Sequence, residues 1–189
     1  MDHGRTVEGI NHYLDRSDGG SGGMEMTDYV ELITTGVLIG VGGSALIDVW
    51  AFTLRRTLKV PTLDYALLGR WIGHFPRGRF RHKHIASADA VRGERPVGWV
   101  AHYSIGVTFA LLLLSLWGIE WAHAPTVMPA LVVGLGTVLA PWFVMQPAFG
   151  AGIAGARTRN PWMGRLRNLT THTIFGVGLY LSALVIASF

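Results

Sequence analysis

The sequence predicts an all-α membrane protein, built as an antiparallel bundle of four transmembrane helices. Two observations lead to this fold class: four long apolar stretches, and positive charge that collects in the segments between them. A bilayer core takes about 20 helical residues to cross, and it offers no water to unpaired backbone groups, so each stretch has to be a helix. The predicted spans cover residues 32–54, 97–119, 127–149 and 169–189.

The distribution of charge predicts how these helices are oriented. Ten of the sixteen Lys and Arg residues lie between residues 55 and 95, and four more lie between residues 157 and 167. Cytoplasmic loops carry such an excess of basic residues. We therefore expect both termini outside, the long basic loop (55–95) in the cytoplasm, and the bacterial inner membrane as the location.

The segment before the first span is expected to be a separate extension. Residues 1–27 are polar and include a Gly- and Ser-rich run at 19–23, which is typical of a flexible linker. The segment lacks the apolar core of a signal peptide. We assign it no function and place the transmembrane domain at residues 28–189.

A weak internal repeat relates the two halves of the chain. The second span contains His102 and Gly106 in the pattern H-x-x-x-G, and the fourth contains His172 and Gly176 in the same pattern. Small residues let helix backbones approach closely in lipid. We expect two similar helical hairpins, in which His102 and His172 lie at similar depth on parallel helices. Glycines that could mediate the contacts recur in the first and third spans, at positions 36, 40, 42, 43, 134 and 136.

Two departures from plain transmembrane helices are expected. Pro141 and Pro147 should kink or end the third span, because proline lacks an N–H and clashes with the preceding turn. The basic loop should form ordered structure against the cytoplasmic end of the bundle, because aromatic side chains can anchor it. These anchors are Trp71, Phe75, Phe80 and Trp99.

His102 and His172 are the strongest candidates for a chemical site. An ionisable residue inside a membrane span is costly and therefore suggests a function. Two histidines at matched depth could bind a transition metal or supply both axial ligands of a b-type haem. Gly106 and Gly176, one turn further along, would then leave room for the macrocycle. Alternatively, the histidines hydrogen-bond neighbouring helices and the glycines permit close helix contact.

Further candidate metal ligands lie in the basic loop and in the first span. His74, His82 and His84 belong to a segment rich in histidine and basic residues, and His82 and His84 can share a face only if the backbone is extended. Asp48 lies deep in the first span, where a carboxylate needs a partner or a proton. The dense arginines favour a phosphate, a carboxylate or an anionic lipid, although they could simply determine topology.

The composition excludes several classes of site. Without cysteine there can be no disulfide and no thiolate ligand, so a metal would depend on histidine and carboxylate. Nucleic-acid binding is not expected, because the basic residues flank apolar spans and accompany no nucleic-acid motif. The lipid bilayer is the expected partner, with a homodimer or another membrane protein as further possibilities.

Several short segments resemble the DUF2938 family of small bacterial integral membrane proteins. The resemblance covers roughly residue 28 to the carboxyl terminus and implies a four-helix protein of the inner membrane; it indicates no catalytic residue. It rests on Gly69-Arg70-Trp71, Gly73-His74-Phe75-Pro76-Arg77-Gly78, Gly98-Trp99-Val100-Ala101-His102-Tyr103, Met145-Gln146-Pro147-Ala148-Phe149-Gly150 and His172-Thr173-Ile174-Phe175-Gly176.

Three classes of function follow from these features. The first is a histidine-based metal or haem site at the cytoplasmic end of the bundle. The second is a small oligomeric permease or transporter subunit, with Asp48 and the kinked third span lining a path. The third is an accessory subunit of a membrane complex. No motif indicates a particular substrate or reaction, so the sequence leaves open whether the protein is an enzyme.

Overall fold

A computed structural model describes residues 25–60 and 62–189 of the chain. The chain divides into two units, Met1–Glu31 and Leu32–Phe189. In the described part of the first unit, the Asp28 carboxylate accepts a hydrogen bond of 2.9 Å from the backbone N–H of Glu25. The expected extension at residues 1–27 lies almost entirely outside the described residues.

The described chain is helical and contains no strand. Short 3-10 turns join some of the helices, at Phe75–Arg77, Ile85–Ser87 and Ile153–Gly155. The α-helices are α1 (Met26–Thr57), α2 (Tyr65–Gly73), α3 (Glu94–Trp117), α4 (Glu120–His123), α5 (Val127–Gly136), α6 (Gln146–Phe149) and α7 (Pro161–Ile186).

Four segments are long and apolar enough to cross a membrane: α1, α3, Val127–Phe149 and α7. Many large apolar side chains on them are exposed, including Phe52, Val144 and Val185, as expected for surfaces that face lipid. The chain is therefore a multi-pass membrane protein with four candidate spans, as the apolar stretches predicted.

The helix of the fourth span, α7, begins earlier than expected, at Pro161 instead of residue 169. The Asn160 side chain caps it by accepting a hydrogen bond from the N–H of Met163. Its first turns carry Arg165 and Arg167, so hydropathy alone missed them. The apolar pattern marks the part of a helix that meets hydrocarbon, whereas the cap marks where the helix starts.

The third span is interrupted, as its prolines predicted. Helix α5 ends at Gly136, a π-helical segment follows at Pro141–Met145, and α6 completes the span. Pro141 lacks the N–H that would continue the α-helical ladder. The chain then leaves the span at Gly150, in a left-handed conformation with φ 90°.

Glycines bring α1 against α3. A methyl group added at Gly40 would lie 2.5 Å from Cα of Val107, and one added at Gly36 would overlap the side chain of Leu111. As the position in α1 moves back by four residues, the position in α3 moves forward by four. The two helices therefore run antiparallel.

An equivalent contact joins α5 to α7. A methyl group added at Gly134 would lie 2.5 Å from Cα of Gly176. Helix α1 also meets α7, since a methyl group at Gly178 would lie 2.8 Å from Cα of Gly43. The core beside these contacts is apolar and fully buried, with Ile39, Leu113, Leu114 and Leu179 among its largest side chains.

The basic loop folds back onto the second span, with α2 lying against α3. The helices meet at Gly69 and Gly98, where an added methyl group would overlap the backbone oxygen of Glu94 or Tyr65, respectively. Beside this contact, Arg70 binds Glu94 through two hydrogen bonds of 2.8 and 2.7 Å. Arg70 also donates to the carbonyl oxygen of Ala86 at 3.1 Å, which fixes the chain after α2.

Aromatic side chains make contacts within the remainder of the loop. The Trp71 indole N–H donates to the carbonyl oxygen of Phe80 at 2.9 Å. The Trp71 ring contacts the rings of Phe75 and Phe149 edge-on, with ring centroids 4.9 and 5.8 Å apart, respectively. The contact with Phe149 attaches the basic loop to the end of the third span.

The glycine contacts make a testable prediction about stability. We expect Gly40→Ala and Gly134→Ala each to destabilise the protein by about 1–3 kcal/mol, because the added methyl group forces two backbones apart. Gly164→Ala in α7 is the matched control: nothing lies within 4 Å of its added methyl group, so it should gain up to about 1 kcal/mol of helix propensity. Thermal unfolding in detergent measures all three. Equal effects at the three positions would contradict the close packing.

Candidate functional site

Four polar side chains form a hydrogen-bonded cluster around Asp48 of α1. The Tyr103 hydroxyl donates to Asp48 Oδ2 at 2.8 Å, and the Tyr65 hydroxyl donates to Asp48 Oδ1 at 3.1 Å. His102 Nε2 lies 3.3 Å from the same Oδ1 and 3.2 Å from the Tyr65 hydroxyl. We call this set (Asp48, Tyr65, His102 and Tyr103) the Asp48 cluster.

Helix α2 positions Tyr65 within this cluster. Asp64 caps the helix by accepting a hydrogen bond from the N–H of Ala66, so Tyr65 is its first residue. The Tyr65 ring stacks on the His102 ring, with centroids 4.2 Å apart, and contacts the Trp99 ring edge-on, with centroids 4.7 Å apart. The pKa of Tyr65 is raised mainly by burial and further by the nearby Asp48 carboxylate. The phenol therefore keeps its proton at neutral pH and acts as a donor.

The hydrogen bonds also fix the proton on His102. Because the Tyr65 proton points to Asp48, the Tyr65 oxygen can accept one from His102 Nε2. His102 Nε2 therefore carries a hydrogen directed at Tyr65 and Asp48. This nitrogen could bind a metal only by giving up that proton and both contacts.

His172 has a different environment. Its Nδ1 lies 2.6 Å from the hydroxyl of Thr137, and that hydroxyl donates to the carbonyl oxygen of Gly134 at 2.5 Å. Since the Thr137 proton is used there, His172 Nδ1 is the donor, and Nε2 of the neutral ring keeps a lone pair. The two histidines of the repeat are thus chemically unlike: one belongs to an acidic cluster and the other is held by a threonine.

A polar cavity of about 710 Å³ lies beside the Asp48 cluster. Three arginines line it, and each comes from the end of a different span: Arg55 from α1, Arg95 from α3 and Arg167 from α7. Asp48 and Tyr65 form part of its wall. We call this the arginine cavity. Its remaining lining includes Trp50, Trp99, Asn168 and Thr171.

A second, mostly apolar cavity of about 380 Å³ is lined by both His102 and His172. We call it the histidine cavity. Tyr65 and Thr137 also line it, so the partners of both histidines reach its surface, and Pro141 and Val144 contribute from the interrupted third span. The structure therefore places the two predicted histidines on one cavity wall. The Asp48 cluster lies between this cavity and the arginine cavity, because Tyr65 borders both.

Gly106 and Gly176 serve helix contact. A methyl group added at Gly106 would overlap the Ser44 hydroxyl and lie 3.1 Å from the Gly40 carbonyl oxygen. One added at Gly176 would lie 2.8 Å from the carbonyl oxygen of Ala130. Another helix thus lies close beside each glycine, which supports the alternative that these glycines permit close helix contact. Gly106 also borders a cavity of about 130 Å³ that is lined by His102 and His172.

The loop histidines separate into a pair, of which His74 is buried and His82 half-buried, and one exposed residue. His74 is fully buried, and its Nδ1 lies 2.8 Å from His82 Nε2. Burial lowers the pKa of His82, and the charges of His74 and Arg79 lower it further, so His82 is neutral at pH 7. His84, the second half of the predicted His82-x-His84 pair, is exposed.

The candidate metal ligands do not converge on one site. Among residues 25–60 and 62–189, no group of three or more His, Asp or Glu side chains is arranged to hold a metal ion. His102 lies with Asp48, His74 lies with His82, and His172 lies with Thr137. A metal at any of these places would have two protein ligands at most from these residue types.

Tyr65 and Tyr103 are the site residues that the sequence reasoning missed. Tyr103 follows His102 directly, and an aromatic donor beside an intramembrane histidine was an available signal. Tyr65 carried no comparable signal. Seventeen positions separate it from Asp48, and only the fold of the basic loop brings the two together.

The comparisons with known proteins give the family. No curated protein and no solved structure shows significant similarity to the chain. The model of a family described as "Protein of unknown function (DUF2938)" matches residues 37–186. The match includes Asp48, Tyr65, His102, Tyr103 and His172, and it confirms the resemblance found in the sequence. The chain therefore belongs to the DUF2938 family.

Proposed function

We propose that the protein binds a small organic anion in the arginine cavity and couples its binding to a proton held by the Asp48 cluster, as a small permease does. One observation carries this proposal: an intramembrane carboxylate, hydrogen-bonded to two tyrosines and close to a histidine, forms the wall of a cavity lined by three arginines. Ionisable residues within a span that face a polar cavity mark substrate and proton pathways.

The lining of the arginine cavity defines the class of ligand. Guanidinium groups bind carboxylates and phosphates through paired hydrogen bonds, and Arg55, Arg95 and Arg167 approach from three helices. Trp50 and Trp99 add flat apolar surface. A volume of about 710 Å³ falls within the usual range of small-molecule sites. These features fit a carboxylate that carries an aromatic or aliphatic body.

The Asp48 cluster supplies a place for a proton beside that ligand. A carboxylate, an imidazole and a phenol within 3.3 Å of one another can hold one proton in several arrangements. A bound anion attracts positive charge, so its arrival favours a proton held within the Asp48 cluster. The bound anion and the proton then stabilise one another, and this reciprocal coupling is the basis for transporting the two together.

Carboxylates paired with their neutral amides test the binding proposal. Benzoate and succinate should raise the thermal unfolding temperature of the detergent-purified protein, whereas benzamide and succinamide should not. The Arg55→Gln, Arg95→Gln double variant should lose the response, because it removes two of the three cations. Asp48→Asn should retain binding but show a weaker dependence on pH, because the amide cannot take up or share the proton.

The matched control for the arginine variant is Arg56→Gln, Arg92→Gln. It removes the same charge from exposed positions that line neither the arginine cavity nor the histidine cavity. Equal stabilisation by acids and amides, or equal loss in both double variants, would contradict a specific anion site. If none of the four probes has an effect, the anion-binding proposal is wrong and an accessory-subunit function becomes the better explanation.

The histidine cavity supports a second candidate function, the binding of a metal or b-type haem. His102 and His172 line it together, and the lone pair of His172 Nε2 is free in the neutral ring. The hydrogen on His102 Nε2 and the close helix contacts at Gly106 and Gly176 weigh against this candidate, so we rank it second.

Elemental analysis and an absorption spectrum of the purified protein test the cofactor candidate. A bound haem would give a Soret band, and zinc, iron or copper would appear in the elemental analysis at a stoichiometric amount. His172→Ala should then abolish retention of the cofactor, and Thr137→Val should weaken it by releasing His172. His84→Ala, at an exposed loop position, is the control. A protein purified without metal or haem after growth in supplemented medium would contradict this candidate.

The proposed topology places the arginine cavity on the cytoplasmic side of a bacterial inner membrane. Fourteen of the sixteen Lys and Arg residues lie in the two basic loops at that end, in accordance with the positive-inside rule. Both termini would be outside, the helices would form two similar hairpins, and residues 1–27 would be an extension separate from the domain at 28–189. Since four spans make a narrow pathway, transport would require a homodimer.

Single cysteines introduced at positions 77, 159 and 120 test this orientation, because the chain has none of its own. An impermeant thiol reagent applied to intact cells should label position 120 and leave 77 and 159 unlabelled until the cells are opened. Labelling of position 77 from outside would reverse the proposed topology.

A further inference from the structure

A third cavity, separate from the Asp48 cluster, lies where the two basic loops meet. Its volume is about 630 Å³. Arg81 and Lys83 line it from the long loop, and Arg157 lines it from the segment between the third and fourth spans. A backbone hydrogen bond of 2.8 Å from His82 N–H to the Ala148 carbonyl oxygen joins the two segments. We call this the junction cavity.

The three cations around the junction cavity have no side-chain partner within residues 25–60 and 62–189. Arg81, Lys83 and Arg157 are exposed, and none of them makes a side-chain hydrogen bond or ion pair with any described residue. None of the described residues that line the cavity is acidic. Like charges held close together repel one another. An anion that binds between them would relieve this repulsion and could accept hydrogen bonds from all three.

The backbone beside the cations is shaped by glycines. Gly150 has a φ of 90°, and a methyl group added there would overlap the carbonyl oxygen of Lys83. Gly152 has a φ of 76°, and its added methyl group would lie 3.0 Å from the Arg157 side chain. Both glycines therefore let the second loop pass close beneath the cations. A side chain at Gly150 would clash with the backbone of Lys83, whereas one at Gly152 would require only a small shift of the Arg157 side chain.

The junction cavity lies at the level where a membrane span ends. Helix α6 ends at Phe149, one residue before Gly150, and Ile153 on the cavity rim is 59% exposed. Phosphate groups of lipid headgroups occupy this level of a bilayer, and basic pockets there bind anionic headgroups. Apolar exposure beside unpaired cations matches a ligand that has both acyl chains and a phosphate.

We propose that the junction cavity is a phosphate-binding site, formed by Arg81, Lys83 and Arg157 and occupied by the phosphate of an anionic phospholipid or by free phosphate. Guanidinium groups bind phosphate oxygens through paired, charge-assisted hydrogen bonds, and lysine adds a compact charge. The site is distinct from the arginine cavity, since the two share no lining residue.

Native mass spectrometry of the full chain released from detergent micelles tests the proposal, with phosphatidylglycerol, phosphatidylcholine and inorganic phosphate as separate probes. The protein should retain phosphatidylglycerol in preference to phosphatidylcholine. The Arg81→Gln, Lys83→Gln, Arg157→Gln variant should lose apparent affinity by on the order of a hundredfold, from roughly fivefold for each cation near a headgroup. Arg157→Lys should lose less, because it keeps the charge but not the paired hydrogen bonds.

The matched control is Arg56→Gln, Arg77→Gln, Arg92→Gln, which removes the same charge from exposed positions that do not line the junction cavity. It should retain the wild-type preference for phosphatidylglycerol. Retention of inorganic phosphate alone, lost in the cavity variant only, would identify free phosphate as the ligand and support the same site. Equal losses of affinity in the two triple variants would overturn the proposal. So would a wild-type protein that retains neither phosphatidylglycerol nor inorganic phosphate.

Discussion

A carboxylate inside an apolar span must find donors, and the arrangement around Asp48 depends on meeting that requirement. Tyr103 supplies one donor from the neighbouring span, and Tyr65 supplies another from the basic loop. The hydrocarbon of the bilayer offers no donor of its own. The loop helix therefore has to lie against the second span, where Gly69 and Gly98 let the backbones meet and the pair Arg70 and Glu94 fixes the contact. One polar group in the first span thus determines where the chain after it can go.

The same requirement explains why cavities lie on both sides of the cluster. Tyr65 fills the gap between the first and second spans and separates the arginine cavity from the histidine cavity. On the far side, the histidine cavity is lined by Pro141 and Val144, which belong to the π-helical segment of the third span. A small four-span protein thereby gains internal space without a larger bundle. Glycine contacts elsewhere keep the helices close enough for the core to remain packed.

Much of this fold could be predicted from the sequence, because the length of an apolar stretch and the position of a proline each determine structure within the same segment. The four spans, the interruption at Pro141 and the aromatic anchors of the loop followed from these signals. The start of the last helix did not, because an asparagine cap and two arginines precede its apolar part. Asp48 and His102 were identified, since an ionisable residue in a span is conspicuous. The sequence left the role of Gly106 open between two alternatives. A glycine that faces a ligand and a glycine that packs against another helix give the same sequence pattern.

The contact between the loop helix and the second span imposes an order on biogenesis. A ribosome delivers the first span and α2 before it delivers Gly98, Glu94 and Tyr103, so the docking surface does not yet exist when α2 emerges. The first span consequently enters the bilayer with Asp48 lacking its donor from the second span. Helix α2 can therefore dock only after the second span has been synthesised and inserted. Docking is then the step that turns two separately inserted segments into one folded unit.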